Sequence, residues 1–250
     1  RSSDFAEALA RGIAVLTAFD SGRRQATLAD LARVVDLPRA TVRRALYTLA
    51  ALGYVESDGR LYRLTPKVLT LAGAYLLSNP VSTILQPTCD RLCAEFREAV
   101  SCAVLDGEEI VMLAHASPDQ LLRTGVGAGF RLPAHCTALG RVLLAALPDA
   151  ALDRFLERLD PTPLTPATIT DKALLREAVL AARARGYALV DQEAQTGFRS
   201  IAVPVRRYDG TVVAAMNVGL RIEHASVEVM ESFYLDRLRQ AAAEIDGQIL

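Results

Sequence analysis

The chain has 250 residues, a formal net charge of −1 and 51% hydrophobic residues. This length fits one large domain or two small ones, and the composition supplies apolar cores. No apolar run reaches the roughly twenty residues of a membrane-spanning helix, no signal peptide is visible, and the four cysteines do not suggest a disulfide framework in so large and apolar a chain. We therefore expect a cytoplasmic protein with no membrane partner.

The first elements are helical and basic. Residues 1–66 hold ten Arg and Lys against seven Asp and Glu, and the surplus lies between Arg39 and Arg63. Apolar residues at helical spacing predict a helix over 5–19. The stretch TLADLARVVDL predicts a second, short helix with Thr27 as N-cap and Asp30 placed almost as in a capping box.

A third helix carries its charge on one side. Pro38 suits its first position, where a missing N–H costs nothing, and it ends near Gly53. At 100° per residue one face is apolar, whereas the other presents Arg43, Arg44 and Tyr47. The basic face therefore cannot pack in the apolar core of the domain.

A hairpin follows the third helix. Asp58-Gly59 stands between two short β-type runs and predicts a tight turn with positive φ at both central residues. Arg60 and Arg63 lie on or beside the returning strand. Three helices and a small hairpin predict a winged helix-turn-helix, in which the third helix enters the major groove.

The rest of the chain predicts a connector and a second domain. Thr65-Pro66 opens an apolar helix that stops before Asn79-Pro80. Beyond it, strands paired by tight turns alternate with helices, LLRTGVG being one candidate strand and 226–249 a closing helix. We predict an α+β chain: a winged helix-turn-helix DNA-binding domain over 1–65, a connecting helix over 66–79, and over 80–250 a second domain with an antiparallel sheet and covering helices.

Four stretches in this order resemble a known family. They are LADLARVVDLPRATVRRALYTLAALGYV, RLPAHCTALGRVLLA, GYALVDQEAQTGFRSIAVPV and GTVVAAMNVG. The chain resembles the IclR-type bacterial transcriptional regulators, and within them the PcaR/PcaU/PobR-like branch. The resemblance implies a winged-helix domain, a linker helix, a GAF-like effector domain, and homodimers or tetramers on palindromic double-stranded operator DNA. The branch implies an aromatic acid or a ring-cleavage product as effector, such as protocatechuate, 4-hydroxybenzoate or β-ketoadipate.

DNA contacts are expected from two elements. Arginine side chains bridge guanine edges or hold phosphates, and the start of the recognition helix enters the groove. The expected contact residues are Arg39, Thr41, Arg43, Arg44 and Tyr47 on the third helix, and Arg60 and Arg63 on the wing. The alternative is a solvated basic helix face.

A carboxylate effector is expected in the rear domain, where the resemblance brings three stretches together. Free N–H groups at a helix start favour an anion. The expected contact residues are Cys136, Thr137 and Ala138 at such a start, Asp191, Glu193, Arg199 and Ser200 in the second stretch, and Asn217 in the last strand. The alternative is structural: Thr137 is only an N-cap, Asn217 bonds to backbone, and Arg199 pairs with a neighbouring carboxylate that shapes the loop.

Catalysis, metals and cofactors have little support. His135 and Cys136 are adjacent, and adjacent side chains rarely aim at one point as a nucleophile and its base must. Cys89 and Cys93 are two thiols without a histidine nearby, too few for a zinc site, and no nucleotide-binding motif occurs. We expect a non-enzyme without metal or cofactor. Two alternatives to an acid sensor remain: a redox-responsive regulator acting through Cys136, and a constitutive DNA-binding protein whose rear domain only forms oligomers.

Overall fold

The structure is a computed structural model that describes residues 4–20, 22–78, 80–118, 127–246 and 248. Contacts divide the chain into two compact units, Arg1–Ser78 and Asn79–Leu250. No helix in the described ranges is long and apolar enough to cross a lipid bilayer. Each unit has a core of its own and is described by itself.

The front unit is three helices and a small sheet. Its elements are α1 Glu7–Thr17, β1 Ala26–Thr27, α2 Leu28–Val34, α3 Arg39–Ala51, β2 Val55–Ser57, β3 Leu61–Leu64, a 3-10 turn Pro66–Val68 and α4 Leu69–Ser78. The strands form an antiparallel sheet in the order β1-β3-β2. The buried core of this unit includes Val15, Leu31, Val42, Leu46 and Leu49. The last three lie on α3, which confirms the apolar face predicted for the third helix.

Local chemistry fixes the ends of these helices. Thr27 caps α2 in a full capping box with Asp30, since each side chain accepts from the other residue's backbone N–H. Pro38 lies at the N-cap of α3, so the prediction that it takes the first helical position was off by one residue. The carbonyl of Pro38 accepts from the N–H of Thr41 and Val42, which starts the helix without a side-chain cap.

The hairpin turn differs from the prediction by one residue. The N–H of Asp58 donates to the carbonyl of Leu61 at 3.3 Å, so the central residues are Gly59 and Arg60. Of these only Gly59 has a positive φ, +98°, and the expectation of positive φ at Asp58 was wrong. The Asp58 carboxylate instead accepts from the N–H groups of Arg60 and Leu61, which holds the turn closed.

The rear unit is built on one six-stranded antiparallel sheet. Its strands are β4 Ala99–Asp106, β5 Glu109–Ala116, β6 Arg131–Pro133, β7 Ala188–Asp191, β8 Phe198–Arg206 and β9 Val212–Arg221. Their order is β6-β5-β4-β9-β8-β7, so the pair of early strands and the group of late strands join through β4 and β9. The candidate strand LLRTGVG lies almost entirely outside the described residues, and β6 is a strand that the sequence did not indicate.

Helices cover both faces of this sheet. They are α5 Pro80–Phe96, α6 Ala138–Ala145, α7 Asp149–Arg158, α8 Lys172–Arg185, α9 Val227–Val229 and α10 Leu235–Asp246, with a π-helical turn Met230–Tyr234 before α10. One core joins the sheet to α5 and α10, and the other joins it to α6, α7 and α8. We call the first the α10 face and the second the α6 face. The predicted fold class, a helix-turn-helix unit followed by an antiparallel sheet with covering helices, is confirmed.

Candidate functional site

The recognition-helix face of α3 is exposed and positive. Arg39, Arg43 and Arg44 are exposed, and Tyr47 is 77% exposed while Thr41 is half-buried at the start of the helix. Within the described ranges no acidic side chain forms an ion pair with any of the three arginines. Their charge is therefore available to a negatively charged partner.

The two wing arginines, Arg60 and Arg63, differ in their ion pairing. Arg60 is exposed in the hairpin turn and has no ion pair within the described ranges, whereas Arg63 on β3 donates from Nε to Glu56 at 2.6 Å. Because both side chains of that pair are about half exposed, the pair is weak. Arg60 is the more available of the two for a phosphate.

In the rear unit, α6 begins with unused backbone donors. Thr137 is its N-cap: its hydroxyl accepts from the N–H of Gly140 at 3.1 Å and donates to the carbonyl of Pro133. The first backbone hydrogen bond of the helix runs from Arg141 N–H to the Thr137 carbonyl. The N–H groups of Ala138 and Leu139 come before that bond, so this end of α6 is suited to an anion.

A row of polar side chains lies on the α6 face of the sheet. Asn217 on β9 stands directly opposite Ser101 on β4, which in turn stands opposite His115 on β5. The Ser101 hydroxyl is 2.9 Å from His115 Nδ1, and the Oδ1 atom of Asn217 is buried with no hydrogen-bond partner in the described chain. Ser200 on β8 is the diagonal neighbour of Asn217 on the same face. We call Asn217, Ser101, His115 and Ser200 the polar row.

The alternation of side chains places two expected site residues on the other face. Asp191 and Arg199 are paired across β7 and β8, one position away from Ser200, so both point to the α10 face. Arg199 donates from Nε and from one terminal nitrogen to the two oxygens of Asp191 at 3.2 and 3.1 Å, and donates again to the carbonyl of Ala225. The Arg199 guanidinium is therefore already hydrogen-bonded to groups of the protein. The structure does not bring Asp191 and Arg199 together with the polar row.

Glu193 belongs to a buried ion pair that the sequence reasoning missed. Its carboxylate accepts from Arg141 of α6 at 2.6 Å and from the N–H of Ile169 at 3.2 Å. The Arg141 and Glu193 side chains are only 6% and 8% exposed. A charged residue in the otherwise apolar stretch ALGRVLLAAL was a signal for a buried partner, but the partner lies 52 positions away.

The loop that carries Glu193 is fixed by further hydrogen bonds. Gln192 has φ +61°, and its side chain accepts from the N–H of Gly197. The hydroxyl groups of Thr165 and Thr168 donate to the backbone carbonyl of Glu193. Because α6, the proline-rich connection and this loop share one network, the start of α6 is held rigidly beside the sheet.

His135 and Cys136 are buried between these segments. Both ring nitrogens of His135 have no hydrogen-bond partner in the described chain, and burial lowers the pKa of its imidazole. Burial also raises the pKa of the Cys136 thiol to about 11, which keeps it protonated and a poor nucleophile near neutral pH. This environment gives no support to a redox role for Cys136.

Metal chemistry finds no support either. In the part of the chain that the structure describes, no group of three or more His, Cys, Asp and Glu is placed to hold a metal ion. Cys89 and Cys102 are fully buried with their sulfur atoms 3.5 Å apart in the core of the α10 face. The arrangement as a whole holds hydrogen-bonding side chains and one helix start around the α6 face, which is suited to binding a small molecule.

Comparison with known proteins agrees with this architecture. Residues 8–59 match the IclR helix-turn-helix domain, and residues 73–247 match the bacterial transcriptional regulator IclR C-terminal domain. A Pca regulon regulatory protein from Pseudomonas putida is 41% identical over 247 residues, covering 98% of this chain and 85% of that protein. A p-hydroxybenzoate hydroxylase transcriptional activator from Acinetobacter baylyi is 34% identical over 250 residues, covering 98% and 92%.

A solved structure shares the fold over the whole chain. The crystal structure of an IclR homologue from Microbacterium hydrocarbonoxydans, complexed with 4-hydroxybenzoate, superposes with a TM-score of 0.79 at 27% identity. The match covers 96% of this chain and 98% of the homologue.

Proposed function

Because the chain belongs to the IclR family of bacterial transcriptional regulators and is of the Pca and PobR type, we propose that it regulates genes for the breakdown of aromatic compounds in response to a small aromatic acid. The observation that carries this proposal is the α6 face of the rear unit. There a helix start with unused N–H groups and a row of polar side chains lie in one packed region. The names of the relatives, and the 4-hydroxybenzoate bound to one of them, support the ligand class.

The acid's carboxylate is assigned to the start of α6. The guanidinium groups of Arg141 and Arg199 are already paired with carboxylates, so neither is a free cation for a ligand. The N–H groups of Ala138 and Leu139 supply hydrogen-bond donors, and the helix dipole favours negative charge at this end. Cys136 and Thr137 shape the turn before these donors, and Ser200 and Asn217 supply polar groups on the sheet.

DNA contact is assigned to the front unit. Arg39, Thr41, Arg43, Arg44 and Tyr47 on α3 read the major groove, and Arg60 and Arg63 on the hairpin hold phosphates. We assign residues 1–65 to the DNA-binding domain, residues 80–250 to the effector-binding domain, and residues 66–79 to the link between them.

We assign a homodimer interface to apolar side chains that the front unit leaves exposed. Leu9 and Ile13 are one turn apart on α1 and 65% and 53% exposed, and Leu69 on α4 is 70% exposed. Exposed apolar surface of this kind marks an interaction site. Two such chains would present two recognition helices to a palindromic operator.

Thermal unfolding of the full chain against a panel of acids tests the ligand class. The panel holds 4-hydroxybenzoate, protocatechuate and β-ketoadipate, and methyl 4-hydroxybenzoate serves as the matched control because its carboxylate is blocked. A ligand at a hundredfold excess over its Kd stabilises the folded state by about 2.7 kcal/mol, which raises Tm by roughly 2–4 °C per kcal/mol. We expect one or more acids, and not the ester, to raise Tm. Acids that all leave Tm unchanged would contradict the proposal.

Salt dependence of DNA binding tests the recognition helix. Arg43→Ala should weaken binding to operator DNA, and if Arg43 holds a phosphate it should also lower the slope of log K against log salt by about 1. Arg207→Ala is the control, because Arg207 lies in an exposed turn of the rear unit. Equal losses in the two variants would count against α3 as the DNA-contacting element.

A further inference from the structure

The polar row is suited to a different group of the ligand from the one that the helix start favours. Its side chains are a carboxamide, two hydroxyl groups and an imidazole, and none of them is an arginine or a lysine. Burying a carboxylate against such a surface is costly, because no guanidinium or ammonium group of the row compensates for lost hydration. A hydroxyl group has no such cost, since it both donates and accepts hydrogen bonds.

Asn217 is the member of the row that most needs a ligand. Its Oδ1 atom is buried and has no partner in the described chain, and a buried acceptor left without a donor costs about 1–3 kcal/mol. The atom accepts hydrogen bonds and does not donate them, so a carboxylate cannot satisfy it and a hydroxyl can.

Ser101 extends this surface toward β5. It is 5% exposed, stands directly opposite Asn217, and has its Oγ atom 2.9 Å from His115 Nδ1. The backbone of His115 is fixed in turn by Gln86, whose side chain accepts from its N–H and donates to its carbonyl. Ser101 is thereby held in place, with its hydroxyl beside the carboxamide of Asn217.

We infer that Asn217 and Ser101, with His115 as the positioning residue behind Ser101, recognise the ring hydroxyl of a hydroxy-substituted aromatic acid. This inference rests on the proposed function, and it adds which end of the acid meets the sheet: the carboxylate lies at the start of α6 and the hydroxyl at the polar row. The row then acts as a specificity filter. An acid that lacks the hydroxyl leaves Asn217 Oδ1 buried and unsatisfied, so it binds more weakly.

Calorimetric titration with 4-hydroxybenzoate and with benzoate tests this, because the two acids differ only in the hydroxyl. For the wild-type chain we expect Kd to be at least tenfold higher for benzoate, a difference of about 1.4 kcal/mol. Asn217→Leu keeps the size of the side chain and removes its hydrogen bonds, and Ser101→Ala removes one hydroxyl. In both variants the ratio of the two Kd values should fall toward one, mainly through weaker binding of 4-hydroxybenzoate.

The control is Ser232→Ala, which makes the same change at an exposed position where the hydroxyl donates to the carbonyl of Glu228. It should leave the ratio unchanged. A ratio near one in the wild type, or a ratio kept in both Asn217→Leu and Ser101→Ala, would overturn the inference while leaving an aromatic-acid sensor in place. If neither the two acids nor any other aromatic acid binds the wild type, the proposed function falls and the inference falls with it.

Discussion

Replacing Glu193 with glutamine should destabilise the rear unit strongly. Glutamine has nearly the same shape, but it leaves the Arg141 guanidinium buried without a counter-charge. The two side chains are 6% and 8% exposed, and loss of one partner from such a buried pair costs about 3–5 kcal/mol. At roughly 2–4 °C per kcal/mol for a unit of this size, Tm should fall by about 6–20 °C.

The same substitution at Glu109 is the matched control. The carboxylate of Glu109 accepts from Arg131 at 2.6 Å, the same distance as in the buried pair, but these side chains are 45% and 42% exposed. Exposed pairs contribute about 0–1 kcal/mol, so Glu109→Gln should lower Tm by less than about 4 °C. Both variants lie in the rear unit, so one thermal transition followed by circular dichroism compares them.

A double variant separates charge from packing. Arg141→Met with Glu193→Leu removes both charges and fills similar volume, so it should recover much of the stability that Glu193→Gln loses. Equal Tm shifts for Glu193→Gln and Glu109→Gln would refute the reasoning, because Glu193→Gln leaves a buried guanidinium without a counter-charge, whereas Arg131 is exposed and keeps Asp106 as a second partner at 2.8 Å. Failure of the double variant to recover would show that the hydrogen bond to Ile169, and not the charge, stabilises this loop.

Three further predictions concern the turn before α6 and its buried side chains. Gly140→Ala should destabilise the rear unit severely, because the added Cβ would overlap the backbone carbonyl of Ala134, whereas Gly12→Ala on α1, where a Cβ meets nothing, should be neutral or stabilising in urea unfolding. Because burial lowers the pKa of His135 beside Arg141, Glu193 and Glu108, the unfolded state takes up a proton that the folded state resists. Stability should therefore fall as the pH drops below about 6.5, and His135→Gln should flatten that fall in unfolding measured from pH 7.5 to 5.5. The Cys136 thiol, with its pKa raised to about 11, should react with a thiol reagent at pH 7.5 only as fast as the protein unfolds; rapid labelling of Cys136 in the folded state would contradict this.

Features with local causes could be predicted from the sequence. The capping box at Thr27 and Asp30 depends on residues three apart, and the basic face of α3 follows from helical periodicity. The hairpin was found at the correct place, but its turn was assigned one residue early, because the Asp58 carboxylate caps the turn from outside. Local signals therefore located these elements to within one or two residues.

The site depends on long-range pairing, and there the sequence was a weaker guide. The stretch DQEAQTGFRS placed Asp191, Glu193, Arg199 and Ser200 together as candidates, and proximity in the chain gave no means of separating them. In a strand, neighbouring side chains point to opposite faces, so Arg199 and Ser200 cannot serve one site from the same strand. Choosing between them requires the register of β8 against β9, which fixes Ser200 on the face of Asn217.

The same reasoning explains why Ser101 and His115 were not predicted as site residues. Each stands alone in an apolar strand, and a lone polar residue in such a strand is most simply satisfied by its own surroundings. Only the pairing of β4 with both β5 and β9 aligns them with Asn217 in one row. The register of the strands thus decides which side chains from different strands become neighbours in a site. Register is set by the pairing of the whole sheet and not by any single stretch of sequence.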